Sequence, residues 1–367
     1  MTAQSRQISP AGDPNARRHL SDTRGAKLST RWIRPTPRGN LTSYTLRRYP
    51  RHMRWVDHLV RRAPGLLWPV RHGLLAWVVV AALVGVAMPK GAVALDSWVP
   101  VLLAGQVLGV ALNLTLGEVR SAIRQSRLIG LALLVQWTVL PGLGLLLHLV
   151  APTPLLAIGI LICAVSPAEI TSGLMATIAG GDTALAMACM SGSLALSIVL
   201  TPFWLTVGLG SAVHVRPTSL ALELALSVLL PLVVGITLRW RFPGIARWRH
   251  LLLDLSAACL VLVVLAGTTS ARGVLTSPTI LIMLPLVAAL LAGGGLAGWG
   301  LGRILQLRRR QALAVGFPIG IREFGVAIAV AVAVAPRSAA VGGVYGILMV
   351  AAAGTLASRM GRRGVRK

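Results

Sequence analysis

Apolar runs of membrane-spanning length recur along this chain from residue 73 to residue 357. Hydrocarbon cannot hydrogen-bond free backbone N–H and C=O groups, so such runs fold as helices that satisfy their own backbone. Ten runs can be delimited, at residues 73–88, 98–116, 128–150, 153–179, 183–209, 219–238, 251–267, 278–301, 311–335 and 339–357. The wider composition agrees: 55% of the 367 residues are hydrophobic and 13% charged, with a mean hydropathy of +0.75, outside the range of soluble domains. The expectation is an all-α polytopic membrane protein.

A formal net charge of +26 would point to nucleic acid in a soluble protein. Here the cations sit in the N-terminal tail and in short segments between apolar runs, which is a topology signal, and the partner it implies is the lipid bilayer with no nucleic acid. Cytoplasmic loops are enriched in Lys and Arg. With the N-terminus inside, the even-numbered helices end in the cytoplasm, so that Arg120, Arg124 and Arg127, the loop RWRFPGIARWRH, Arg308 to Arg310 and the C-terminal Arg and Lys all fall inside. The segments at 89–97, 151–153 and 268–277 fall outside with few cations, His214 and Arg216 being a mild exception. A multi-pass protein of a bacterial-type cytoplasmic membrane follows, with both termini cytoplasmic.

Residues 1–72 hold 15 of the 36 Lys and Arg and no apolar run of helical length. They read as a basic, disordered cytoplasmic tail able to touch anionic headgroups, and they lack the apolar core of a signal peptide. An alternative reading starts translation at Met53. Cys163, Cys189 and Cys259 all lie inside apolar runs without metal-ligand spacing, so they read as packing residues and no metal or other cofactor is expected.

Two runs are interrupted at corresponding places. The fourth breaks at Pro167 within SPAEITSGLMATIAGGDTALA, beside Glu169 and Thr171, and the ninth at Pro318 within FPIGIRE, beside Arg322 and Glu323. Ten helices divide into two sets of five, and an odd number per set makes the second enter the membrane from the opposite side. Interrupted segments at matching positions of two inverted halves point to a transporter's midplane site. The domain reading is therefore 73–210 for the first repeat, 211–357 for the second, inverted repeat, and 358–367 for a basic cytoplasmic C-terminal tail.

The run NLTLGEVRSAIRQSRLIGLALLVQWTVLPGLGLLL, SPAEITSGLMATIAGGDTALAMACMSGSLALSIVLTPFWL and REFGVAIAVAVA together resemble the bile acid:sodium symporter family, of which the chain looks like a divergent bacterial member. The resemblance covers about residues 98–357. It implies ten helices in two inverted repeats, helices one, two, six and seven forming a panel, and the rest a core in which helices four and nine cross at their breaks. It implies transport by alternating access. Of the family's sodium ligands, Gln136 and Ser172 hold their places, while Gly173, Ala186, Met190, Pro318 and Arg322 stand where the family has oxygen donors. The family's sodium sites are thus degraded, leaving Na+ or H+ as the coupling ion.

Helix ends at a break expose N–H groups that favour an anion and C=O groups that favour a cation. Arg322 adds a guanidinium able to bind a carboxylate bidentately. The expected function is a secondary active transporter of a small organic anion, with Arg322 as substrate anchor and Glu169 as its counter-ion and proton-coupling group. Thr171 and Glu323 join the substrate-binding set. The structural reading is a fixed ion pair of Arg322 with Glu169 or Glu323 that staples the crossing. Glu223 and Asp254 read as snorkelling residues near the interface. An arsenite-type exporter is the alternative within the superfamily, but the position after Pro167 is Ala168, and Cys163 lies a turn earlier. A channel or sensor on the same scaffold is the other alternative. No HExxH or GxSxG motif supports an enzyme.

Overall fold

The computed structural model describes residues 74–87, 93–113, 125–210, 216–270 and 272–365. The tail at 1–72, most of the charged segment GEVRSAIRQSR, and His214 lie outside the described residues. Among the described residues the chain is helical, with no strand. Six helices are long and apolar enough to cross a membrane: Ser126–Val150, Thr183–Leu209, Pro217–Arg241, Leu251–Thr269, Thr279–Ile304 and Pro336–Gly361.

In chain order, α1 spans Leu74–Ala87, α2 Val99–Ala111 and α3 Ser126–Val150. Pro141 lies inside α3 without ending it. The fourth apolar run is two pieces, α4 (Pro154–Ala164) and α5 (Ser172–Ile178), separated by an extended stretch. The Thr153 hydroxyl caps α4 by accepting from Leu156 N–H, a group that helix geometry leaves without a backbone partner. Gly180 takes φ +85°, a left-handed conformation that favours glycine, and Asp182 caps the next helix by accepting from Leu185 N–H at 3.1 Å. That helix, α6, runs Thr183–Leu209, as its sequence predicts.

The sixth run is one span in two helices, α7 (Pro217–Leu224) and α8 (Leu230–Arg241), joined by a π-helical turn at Ala225–Leu229. Next come α9 (Arg249–Ser270), the short α10 (Arg272–Leu275) and α11 (Thr279–Ile304). The ninth run is again two pieces, α12 (Arg309–Gly320) and α13 (Phe324–Val334). Pro318 does not open this break. Its fixed φ is helical, so α12 continues through it to Gly320, and the extended residues are Ile321 to Glu323. The last helix, α14, spans Ala339–Val365 and carries the helical path into the residues read as a C-terminal tail.

The packing places α9 against α1, α2, α13 and α14, and α8 against α2. A second group joins α3, α4, α6, α11 and α12, with α14 packed on α4, α5 and α13. Where α11 meets α12 the backbones nearly touch: a Cβ added at Gly298 would lie 2.7 Å from the Gly316 carbonyl oxygen, and one at Gly294 2.6 Å from that of Gly320. Small residues of this kind let membrane helices approach closely. The outward faces are apolar, with Leu149, Val199, Leu281, Trp299 and Ile304 exposed, whereas Gln136, Glu169, Ser193, Arg322 and Glu323 are buried. Polar inside and apolar outside is the order a hydrocarbon solvent imposes.

Candidate functional site

The two breaks meet. Ala168 and Arg322 form an antiparallel bridge, in which Glu169 N–H donates to the Ile321 carbonyl at 3.1 Å and Glu323 N–H to the Pro167 carbonyl at 2.9 Å. A break in a membrane helix frees backbone groups that each need a partner. Here each break supplies partners for the other, so the two interrupted helices are joined at the point where neither is helical.

Side chains take up most of what remains. The Val165 carbonyl accepts from the Thr201 hydroxyl at 2.7 Å, Ala168 N–H donates to Ser193 Oγ at 2.8 Å, and Arg322 N–H donates to the Tyr345 hydroxyl at 3.0 Å. Glu323 lies at the N-terminus of α13, where its Oε1 accepts from Gly325 N–H at 3.2 Å and from Gln106 Nε2 at 3.0 Å. Its Oε2 accepts from Ile170 N–H at 2.9 Å, just ahead of α5. One carboxylate thus serves the N-terminal ends of two half-helices, where the helix dipole favours negative charge. Glu169 Oε1 accepts from Thr171 N–H and Oγ1 at 3.3 and 3.2 Å, and its carboxyl group adjoins that of Glu323 across the crossing. Glu169 Oε2 and Ser172 Oγ are buried without a partner.

Arg322 goes to the opposite ends. Its Nη1 donates to the Ser166 carbonyl at 3.1 Å, just past the end of α4, and its Nη2 to the Ile319 carbonyl at 2.6 Å, in the last turn of α12. Three donors face the inner atom of the Gln136 amide: Arg322 Nη1 at 2.8 Å, Ala168 N–H at 3.1 Å and the Ser193 hydroxyl. That atom is therefore the amide oxygen. Arg322 Nε has no partner. Among the described residues Arg322 bonds to neither Glu169 nor Glu323. Both the Glu169 counter-ion expected for Arg322 and the ion-pair staple weighed as the structural alternative are replaced by backbone carbonyls and one amide, because the guanidinium lies at the half-helix C-termini and the carboxylates at the N-termini.

This arrangement leaves Arg322, Glu169 and Glu323 almost fully buried, at 0, 1 and 0% exposure. Thr171, at the lip of the first break, instead lines a cavity of about 740 Å³ that opens between α2 and α9 on one side and α5 and α14 on the other. Gln106, Ser256, Thr355, Ser358 and Arg359 supply its polar lining, and apolar side chains such as Leu174 and Leu260 the rest. A second cavity, of about 880 Å³ and more apolar, lies between α11, α12 and α14 at the exposed Trp299, with Arg303, Arg309 and Ile321 of the second break in its lining.

The sequence brings Pro167, Glu169, Thr171, Ser172, Gln136, Arg322 and Glu323 to the neighbourhood of one crossing, and the structure adds Gln106, Ser193, Thr201 and Tyr345. Gln106 could have been found as a lone amide in the apolar run of α2. Ser193 and Thr201 carried no such signal, since hydroxyls in membrane helices commonly bond their own backbone. Glu223 is half-buried, as a snorkelling residue should be. Asp254 is buried instead, because α9 is packed by four helices.

Two interrupted helices crossed on a buried charged centre, beside a polar-lined cavity, define a helical membrane transporter. The profile of the SBF-like CPA transporter family (DUF4137) matches residues 72–359, and the chain belongs to that family. It is 26% identical over 278 residues to the uncharacterized sodium-dependent transporter YocS of Bacillus subtilis (strain 168), covering 74% of this chain and 85% of that one. It is 29% identical over 172 residues to the probable sodium/metabolite cotransporter BASS2, chloroplastic, of Oryza sativa subsp. japonica, covering 46% and 40%. With the corresponding BASS4 protein of Arabidopsis thaliana it shares 35% over 127 residues, 33% of this chain and 29% of that one. The resemblance drawn from the helix-break motifs to the bile acid:sodium symporter family is thereby borne out, and the protein is a multi-pass membrane transporter.

Proposed function

We propose that this protein is a secondary active transporter that moves a small organic anion across the cytoplasmic membrane by alternating access. The observation that carries the reading is the cavity of about 740 Å³ whose wall includes the lip of the first break at Thr171 and, among the described residues, one cation, Arg359. An anion with an apolar body fits such a lining: Arg359 attracts the charge, the Thr171, Ser256 and Gln106 side chains orient it, and the leucines hold the body. The crossing carboxylates and Arg322 stand behind this wall as the framework that the substrate rests against.

In this reading residues 73–210 and 211–357 are two inverted five-helix repeats. The group α1, α2, α7, α8 and α9 forms the panel and the remaining helices the core. The cavity lies between them, so a shift of core against panel closes it at one end and opens it at the other. Glu169, whose Oε2 accepts no hydrogen bond and whose carboxyl group adjoins that of Glu323, is the group that takes up and releases the coupling proton.

The test is uptake of a panel of labelled organic anions by proteoliposomes, with imposed proton or sodium gradients. Saturable uptake with counterflow, lost in Arg359→Ala and Thr171→Val, is the expected result. A non-saturable ion current, or no counterflow with any anion, would overturn the reading in favour of a channel or a different cargo. Uptake driven by sodium and indifferent to a proton gradient would remove Glu169 from the coupling role.

A further inference from the structure

The relatives' names carry a sodium dependence, so the crossing must be tested for whether its residues can hold sodium. A hard cation needs several converging oxygens and space between them. Three oxygens converge on one place at the crossing, the Ser166 and Ile319 carbonyls and the Gln136 amide oxygen. What lies between them is the Arg322 guanidinium, at 3.1, 2.6 and 2.8 Å. Two of the three are at the C-terminal ends of the half-helices α4 and α12, where peptide dipoles gather negative potential. That potential draws a cation, and the chain supplies one on its own side chain. The residues present do not fit a sodium ion here, because the oxygens and the volume it would need are already engaged.

Elsewhere the donors thin out. Gln106 Oε1, Glu169 Oε2 and Ser172 Oγ are buried without a hydrogen-bond partner, but Glu169 and Ser172 lie at the N-terminal end of α5, where peptide dipoles disfavour a cation, and Gly173 beside Ser172 has no side chain and is covered by the Met187 sulfur. Among the described residues no group of three His, Cys, Asp or Glu gathers as a metal site would.

We propose that the Arg322 guanidinium is a built-in cation that stands in for a coupling sodium at the crossing, so that the two half-helix C-termini are held together without any bound ion. The charge is covalently attached and always present, and the crossing is therefore assembled at every stage of the transport cycle. A guanidinium suits the position better than an ammonium, since its planar fork reaches carbonyls on two different helices at once. The inference is independent of the organic-anion reading: flux decides that one, whereas the sodium response is a property of the resting protein.

The experiment compares thermal unfolding of the purified, detergent-solubilised protein in sodium chloride and in choline chloride of equal strength, together with direct binding of radioactive sodium. The wild-type protein is expected to melt at the same temperature in both salts and to bind no sodium saturably. Arg322→Ala is expected to melt several degrees lower in choline chloride and to recover part of the loss on adding sodium or free guanidinium ion, either of which can enter the vacated position. Arg322→Lys keeps a charge and is expected to stay indifferent to sodium. A saturable, sodium-specific rise in the wild-type melting temperature would overturn the proposal outright, even if no variant could be purified. So would an Arg322→Ala protein that folds and responds to neither cation.

Discussion

Ser193 and Ser197 lie one turn apart on α6, but they are not equivalent. Ser193 Oγ accepts from Ala168 N–H in the first break and bonds the Gln136 amide, whereas Ser197 Oγ bonds the Leu194 carbonyl of its own helix. Removing the first hydroxyl leaves Ala168 N–H only its longer bond, 3.1 Å, to the Gln136 amide oxygen and takes a donor from that oxygen, while removing the second leaves a carbonyl that is already in the helix ladder. Ser193→Ala is therefore expected to unfold at a clearly lower temperature than Ser197→Ala in the same detergent; equal melting temperatures would show that the network does not hold the break. The two carboxylates divide in the same way. Glu323 accepts from three donors on both oxygens, so an amide in its place turns a donor toward a donor, whereas Glu169 Oε2 faces no protein donor. Glu323→Gln is expected to lose about 1–3 kcal/mol and Glu169→Gln little, read by thermal unfolding of the two side by side. At this scale the sequence was partly legible. A charge in an apolar run announces itself, so Glu169, Arg322 and Glu323 were found, but which atoms a charge meets depends on the helices that cross over it, and no spacing rule pairs Arg322 with carbonyls instead of carboxylates.

Elements were legible where local chemistry alone decides their ends. Asp182 and Gly210 bound α6 because a carboxylate caps one end and a positive-φ glycine stops the other. The break in the ninth run was legible as a break but displaced, because proline signals a missing donor and not the end of a helix, and the true end lies past it at Gly320. That end is set by packing. Gly294 and Gly298 let α11 approach α12 so closely that their backbones share the space a side chain would need. Gly298→Leu is expected to prevent this approach and abolish monodisperse protein in size-exclusion chromatography. Gly300→Leu, two residues on with nothing within 4 Å of an added Cβ, is expected to elute as the wild type.

For the whole molecule, the proposed orientation can be read from either side of the membrane. Pro152, between α3 and α4, and Arg308, before α12, are both exposed. With Cys259 replaced by alanine and the buried Cys163 and Cys189 left in place, Pro152→Cys is expected to react with an impermeant maleimide added outside intact cells. Arg308→Cys is expected to react only after the membrane is opened. Labelling of both from outside would refute the ten-span arrangement. Apolar runs and loop charge led to this topology. The depth of the cavity was not legible, since it depends on how far α2 and α9 stand from α5 and α14, a distance that no single run encodes.

One joint in this architecture has a mechanical reading. The span formed by α7 and α8 changes neighbours along its length: α7 lies on α6, α8 lies on α2, and the π-helical turn at Ala225–Leu229 falls at the changeover. A π turn holds one residue more than the α-helical turn it replaces, and one residue of an α-helix turns through about 100°. The surplus residue thus sets the rotation between the face that meets α6 and the face that meets α2. Deleting Ser227 would wind the span into a continuous α-helix and swing one of those faces away from its partner. The span is a joint of fixed offset, with its angle written in the count of residues and not in their chemistry.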